Sequence, residues 1–153
     1  MIKVLFVCHG NICRSPMAEF VFKDMVKKRG LGDLFEVASA ATSTEEIGNA
    51  VHPGTRKVLN GLGIQADGKR AVQMTKRDYK EYDYIVAMDQ KNVTNMYRII
   101  GMDSEEKVRR LLDYTSTPRD IADPWYTGDF DKTYEDIYKG CEELLKVIFD
   151  RNK

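Results

Sequence analysis

The sequence predicts one doubly wound α/β domain, a central four-stranded parallel sheet flanked by helices, over residues 1–153. Three observations carry that prediction. Short apolar runs rich in β-branched residues alternate with longer stretches of helical spacing, the pattern of β-α-β units. No internal repeat, low-complexity tract or Gly-, Pro- or Ser-rich linker divides the chain. A chain of 153 residues is also long enough to bury a core without disulfides or metals to staple it.

The elements follow in order. Ile2 to Val7 reads as a buried strand. Ser15-Pro16 then opens a helix, with Ser as cap and Pro at its first position. That helix ends at Lys27-Lys28-Arg29-Gly30, a cationic last turn and a closing glycine suited to the negative end of the dipole. Phe35 to Ala40 is a second strand, and Pro53 to Leu62 a helix that stops at Gly63. Thr75-Lys76-Arg77-Asp78 resembles a capping box for a short helical turn. The strand Tyr84 to Met88 comes next, and Asp89 caps a helix running to about Ile100. Val108 to Leu112 is a weaker fourth strand, and a long loop from Asp113 to Asp131 precedes the last helix. There Tyr134, Ile137, Tyr138, Cys141, Leu144, Leu145 and Ile148 share one face at three- and four-residue steps, which makes Cys141 a core residue.

Lys plus Arg equals Asp plus Glu at 24 each, so no global basic field points to nucleic acid or an anionic membrane. The apolar run Ile2 to Val7 is too short for a membrane span or a signal-peptide core, and it carries Lys3. Three cysteines without a secretory signal read as reduced thiols, which places the chain in a cytoplasm. His9 and His52 lack ligand-spaced partners, so neither a metal site nor a cofactor is expected. His9 is assigned to a loop rim and His52 to a solvent-facing position before a helix-opening proline.

In a doubly wound sheet, ligands bind beyond the carboxyl ends of the strands. The first strand ends there at V-C-H-G-N-I-C-R-S-P, residues 7–16. Between Cys8 and Arg14 lie His9, Gly10, Asn11, Ile12 and Cys13, enough backbone to curl around one small anion with its N–H groups inward. Added to the positive end of the following helix, this makes a phosphate-sized site. Gly10 and Asn11 both tolerate the positive φ such a loop requires. A phosphate cradle alone needs no cysteine. A thiolate, however, is stabilised by the same N–H groups, helix terminus and Arg14 that hold phosphate, which makes Cys8 a nucleophile beneath a bound phosphorus. Arg14 has the planar fork that holds two phosphoryl oxygens into the transition state. Ser15 is placed to donate its hydroxyl to the departing thiolate.

A Cys–Arg spacing of six is weak by itself; the strand before it, Gly-Asn inside it and Arg-Ser-Pro opening a helix after it supply the specificity. Phosphoryl transfer to a thiol also needs an acid for the leaving group. In the long loop, D-P-W-Y at residues 123–126 offers Asp123, first to protonate the leaving oxygen and then to activate water. Trp125 and Tyr126 would wall the entrance as a slot for a flat ring. Taken alone, a D-P turn with aromatics is an ordinary surface turn, and its weight depends on the cysteine loop.

V-C-H-G-N-I-C-R-S-P near the N-terminus and D-P-W-Y some 110 residues later resemble the low-molecular-weight protein tyrosine phosphatase family, over essentially the whole chain. The resemblance implies Cys8 as nucleophile, Arg14 as phosphate clamp, Asp123 as general acid and base, and Asn11, Ser15 and Ser39 as a polar network holding the loop. Three positions depart from the usual pattern: Ala40 where glycine is frequent, Glu45 where animal members tend to have an aromatic wall, and Lys69 where histidine is common. The arginine-phosphatase branch tends to have threonine at position 12, whereas Ile12 offers an apolar surface to an aromatic ring. The expected substrates are therefore phosphotyrosine-containing proteins, acted on by a monomer or weak dimer, with a protein arginine phosphatase as the alternative. A thioredoxin-coupled arsenate reductase would need further cysteines in mid-chain, and none lies between Cys13 and Cys141. A non-catalytic phosphoprotein-binding module could dispense with Cys8 or Asp123, and both are present.

Cys13 has two readings. It packs as a small apolar residue under the loop, or it captures an oxidised Cys8 as a reversible disulfide, provided the Cα atoms approach within about 7 Å.

Overall fold

Val4, Leu5, Phe6 and Val7 are all buried, which a strand achieves only when both faces of its sheet are covered. In the computed structural model, which describes residues 1–151, they lie within β1 (Ile2–Cys8). β1 pairs in parallel with β2 (Phe35–Ala41) and with β3 (Tyr84–Ala87), and β3 pairs in parallel with β4 (Val108–Arg110). The four-stranded order is β2-β1-β3-β4.

Alternation along β1 divides the core. Val4 and Phe6 face one cluster with Met17, Phe22 and Met25 of α1 (Arg14–Lys28) and Ile137, Leu144 and Ile148 of α6 (Phe130–Arg151). Leu5 and Val7 face another with Tyr79 of α3 (Lys76–Glu81) and Val93, Met96 and Ile100 of α4 (Gln90–Ile100). A strand period of two sends neighbouring side chains to opposite faces, so helices are needed on both. Phe22 meets Phe6 and Phe35 edge to face, with ring centroids 5.7 and 5.6 Å apart. α2 (Pro53–Gly61) lies beside α1 and α6, and a β-carbon at Gly140 would overlap Leu111, so only glycine lets α6 press onto the turn after β4. No helix among the described residues is long and apolar enough to cross a membrane.

The fold class matches the expectation, and several local assignments are corrected. α1 starts at Arg14 with Cys13 at its cap position, so Ser15 lies inside the helix and its hydroxyl turns to the Cys8 thiol instead of capping. The fourth strand stops at Arg110, because Leu111–Tyr114 tighten into a 3-10 turn that buries Leu111 and Leu112. The loop before α6 contains a short helix, α5 (Pro124–Thr127). His52 is not simply turned to solvent: its Nδ1 accepts from Gly54 N at 2.9 Å to cap α2, and its ring stacks on Phe130 at 5.0 Å. On α6, Cys141 is fully buried as read from the sequence, but Tyr138 sits at the edge of the apolar face and is 41% exposed.

Burial pushes the Tyr114 phenol from an ordinary 10.0 up to about 12, and burial likewise pushes the Cys141 thiol up. Both folded values exceed the unfolded ones, so this contribution to stability is whole below about pH 9 and is lost as pH rises towards 12. The urea midpoint is therefore expected to fall between pH 9 and 11, each group contributing up to about 1.4 kcal/mol per pH unit. Tyr114→Phe and Cys141→Ala should each flatten this alkaline slope; an unchanged slope in both variants would contradict the assignment.

Candidate active site

The turn between β1 and α1 begins at Cys8, the last residue of the strand, and ends at Arg14, the first of the helix. Within it Asn11 has φ 60°, a left-handed conformation that asparagine tolerates and most residues do not. Gly10 is not in that region; its lack of a side chain matters instead because a β-carbon there would stand 3.3 Å from Glu46 Cγ. The Asn11 amide holds the turn from inside. Its Oδ1 accepts from Val72 N at 3.2 Å, and its Nδ2 donates to Ser15 Oγ at 2.7 Å and to Ser39 Oγ at 2.9 Å. Thr42 and Ser43, just past β2, donate their backbone N–H groups to the Cys8 and His9 carbonyls and tie down the outer side.

The Cys8 sulfur is 3% exposed at residue level and sits at the focus of this turn. Asn11 N donates to it at 3.3 Å and Ser15 N at 3.4 Å, and Ser15 Oγ lies 3.0 Å away. Such donors, with the start of α1, favour negative charge on sulfur.

Arg14 is 2% exposed. Its Nη1 donates to Asp89 Oδ2 at 2.7 Å and to the Ile121 carbonyl at 2.8 Å, while Nη2 reaches Asp123 Oδ2 at 3.4 Å. Burial alone opposes its charge, yet Cys8, Asp89 and Asp123 outweigh that and drive the guanidinium further towards the charged form. No acceptor among the described residues meets Nε, so the Nε–Nη2 edge is the fork left for an anion. Asp123 has a second task, capping α5 by accepting from Trp125 N at 3.0 Å. Asp120 is directed elsewhere, into bonds with Gln90 N and Arg110.

Cys8, Ile12, Arg14, Asp123, Trp125 and Tyr126 line one cleft, with His9, Gly10 and Cys13 also on its wall. Asn11, Ser15 and Ser39 lie behind it as buried support. Trp125 is 57% exposed, and its ring is set by an edge contact with His52 at 5.7 Å. Burial first, and the charge of Cys8 second, push the Cys13 thiol from 9.0 up to about 12. The rim also carries Glu45, at the position where the resemblance would place an aromatic wall, with its Oε2 2.9 Å from His9 Nε2, and Glu46, which the sequence did not single out.

Asp89 is the main residue that reading the sequence for chemistry overlooked, because its helix-capping role, Asn92 N to Oδ1 at 2.7 Å, already explained it. Its other oxygen holds Arg14. The signal that marks it is position: it follows β3, next to β1 at the carboxyl edge of the sheet, where doubly wound folds place their sites.

The family model described as low molecular weight phosphotyrosine protein phosphatase matches residues 3–153. The chain belongs to this family. It is 44% identical over 150 residues to the low molecular weight protein-tyrosine-phosphatase YfkJ of Bacillus subtilis, covering 97% of this chain and 96% of that one. The crystal structure of YfkJ superposes with a TM-score of 0.96 over 100% of this chain and 98% of its own. SP-PTP, the low molecular weight protein tyrosine phosphatase of Streptococcus pyogenes, gives a TM-score of 0.85 at 41% identity, covering 95% and 92% of the two chains. The Drosophila arginine phosphatase gives 0.87 at 30% identity, covering 96% and 98%. Membership makes the chain a cysteine-dependent protein phosphatase acting on phosphoproteins.

In this phosphatase, removing Asp89 strips the buried guanidinium of its shortest charge pair and leaves only Asp123 and Cys8 to compensate it. Asp89→Ala is expected to lower unfolding free energy by about 3–5 kcal/mol and to weaken vanadate binding. Asp89→Asn keeps an oxygen for the α4 cap and should lose less. Urea unfolding and vanadate titration check both; wild-type behaviour of Asp89→Ala would show that Arg14 does not depend on it.

Proposed function

We propose that this chain hydrolyses phosphotyrosine through a phosphocysteine intermediate, with Cys8 as nucleophile, Arg14 as phosphate clamp and Asp123 as general acid and base. One arrangement supports the reading: the Cys8 sulfur receives hydrogen bonds from its own loop at the floor of a cleft whose walls carry a fixed guanidinium and a carboxylate. The thiolate attacks phosphorus in line, the bond to the tyrosyl oxygen breaks, and Asp123 passes its proton to that oxygen. Asp123, now ionised, takes a proton from water as the water attacks the phosphocysteine. Phosphate leaves, and the thiolate returns to its donors with Ser15 Oγ 3.0 Å away. Loop N–H groups of His9 to Ser15 and the open edge of Arg14 stabilise the charge spread over the phosphoryl oxygens.

Ile12, Trp125 and Tyr126 favour an aromatic phosphoester over phosphoarginine, since they present apolar and aromatic surface to the leaving group. The likeness to an arginine phosphatase keeps phosphoarginine as the comparison substrate. The proposed partners are phosphotyrosine-containing proteins in the cytoplasm, met by a monomer or weak dimer without nucleic acid or membrane, in keeping with the even charge balance.

Cys8→Ser should abolish turnover of p-nitrophenyl phosphate while retaining vanadate affinity, and Arg14→Ala should lose both; residual turnover of Cys8→Ser above about a hundredth of wild type rejects the covalent route. Asp123→Ala should lower kcat for phosphotyrosine roughly 10²–10⁴-fold, with a smaller loss for aryl phosphates whose leaving groups need no proton. Equal loss for every leaving group would reassign Asp123 to its capping role. A phosphotyrosine peptide should be turned over faster than a phosphoarginine peptide, and the reverse order would transfer the chain to the alternative substrate.

Cys13 is proposed as the resolving thiol of this site. Peroxide oxidises the Cys8 thiolate to a sulfenic acid with loss of hydroxide, and the Cys13 thiol then displaces water to form a Cys8–Cys13 disulfide. Both thiols border one cleft, and Cys13 remains protonated at neutral pH, so Cys8 is the one that oxidises first. Peroxide-inactivated wild type should recover with dithiothreitol and Cys13→Ser should recover poorly. Equal recovery, with no loss of two hydrogens in intact mass, rejects the bridge.

A further inference from the structure

Residues 118–123, which carry Asp123 into the cleft, form neither helix nor strand. A segment without a hydrogen-bond ladder of its own has to be held from outside. From Arg119 to Ala122 each residue is held by a different neighbour. Arg119 Nη1 and Nη2 donate to Asp136 Oδ2 and Oδ1 on α6 at 3.1 and 2.8 Å, a bidentate pair whose acid is buried. Asp120 Oδ1 accepts from Gln90 N, the first amide of α4, at 2.9 Å and from Arg110 Nη1 at 3.0 Å. Ile121 N donates to the Met88 carbonyl at 2.9 Å, and the Ala122 carbonyl accepts the Thr133 hydroxyl at 3.4 Å.

The two side-chain anchors pull from opposite sides, since α6 packs on one face of the sheet and α4 on the other. Both are themselves fixed. Arg110 grips Asp113 Oδ1 through Nε and Nη2 at 3.1 and 2.9 Å, and Lys132 Nζ stands 3.4 Å from Asp136 Oδ1. Burial alone would push the Asp136 carboxyl up, yet Arg119 and then Lys132 hold it below its ordinary range. The side chains of Arg119 and Asp120 are 48% and 52% exposed, and ion pairs so open to water contribute at most about 1 kcal/mol each to stability. What they add is direction. With consecutive residues pinned to two helix layers, the chain can neither slide along the carboxyl edge of the sheet nor lift from it, and Asp123 follows three residues later.

We propose that Arg119 and Asp120 are positioning residues that strap this segment to α6 and to the start of α4, and so hold the Asp123 carboxyl where it protonates the leaving oxygen. The inference rests on Asp123 being the general acid. Neither Arg119 nor Asp120 lines the cleft, so both act through Asp123 alone. An acid works only within hydrogen-bond reach of the oxygen it protonates, and a displacement of about 1 Å costs on the order of 10²-fold in rate. Loosening the strap should therefore slow those reactions whose leaving group needs a proton, and spare the others.

The test compares phenyl phosphate with dinitrophenyl phosphate, whose leaving group needs no proton. Arg119→Met/Asp136→Leu removes cation and buried acid together, and Asp120→Ala cuts the second anchor while Arg110 keeps Asp113. In each variant kcat/KM for phenyl phosphate is expected to fall roughly 10- to 100-fold, with dinitrophenyl phosphate changed by no more than about twofold. Arg119→Lys keeps the charge without the fork and should fall in between; it serves as the second reading of that anchor if the double variant does not fold. Added to Asp123→Ala, the same substitutions should cost nothing further, because residues that act through one group are not additive with its loss. A purely structural role would lower the thermal transition and slow both substrates alike. Equal loss on the two substrates, a further loss in the Asp123→Ala background, or wild-type kcat/KM for phenyl phosphate in folded Asp120→Ala and Arg119→Lys overturns the proposal. So does a greater loss from Asp120→Ala than from Asp123→Ala, which would make Asp120 the acid. If Asp123→Ala alone slows both substrates equally, the general-acid reading falls instead, and with it the basis of the inference.

Discussion

A guanidinium buried to 2% exposure is the constraint around which this phosphatase is assembled. Arg14 cannot stay charged in the interior without compensation, and no single segment supplies enough of it. Asp89 comes from the end of β3, the Ile121 carbonyl and Asp123 from the segment before α6, and Cys8 from the end of β1. Parallel pairing of β1 with β3 puts the ends of those two strands side by side, so the order β2-β1-β3-β4 is what lets these groups meet. The cation is thereby oriented in advance, as the proposed phosphate clamp requires.

The same economy applies to the loop. Asn11 takes a left-handed backbone at some energetic cost, and the amide side chain that permits it also satisfies three neighbours, Val72, Ser15 and Ser39. The result is that the N–H groups of Asn11, in the turn, and Ser15, in the first turn of α1, point at sulfur. Glu19 and Lys69 extend this scaffold through a second layer, so the environment of Cys8 is built from β1, α1, β2 and the segment after α2.

At the rim, different forces hold the side chains in place. Trp125 is mostly exposed yet held by His52, which is itself stacked on Phe130 and bound into the start of α2. On the same rim, Glu45 pairs with His9 while the stem of Glu46 lies against Gly10. The cleft therefore has both aromatic and acidic residues in its lining.

Much of this was legible in the sequence because it is local. Apolar period and turn residues placed β1, β2, β3 and the long helices, and the spacing from Cys8 to Arg14 put a thiol and a guanidinium into one short loop. D-P-W-Y named a carboxylate and two aromatics at once. What the tertiary structure decided depends on partners distant in the chain. Ser15 is no cap, because the sulfur seven residues earlier competes successfully for its hydroxyl. Asp89 reads as a cap until Arg14, 75 residues away, claims its second oxygen. Nothing local marks Glu19, whose partners Ser39 and Lys69 arrive from other segments. A sequence specifies which groups exist and which are near along the backbone. Only folding brings a buried charge to its compensating charge, since that pairing is governed by desolvation across elements and not by any periodicity within one.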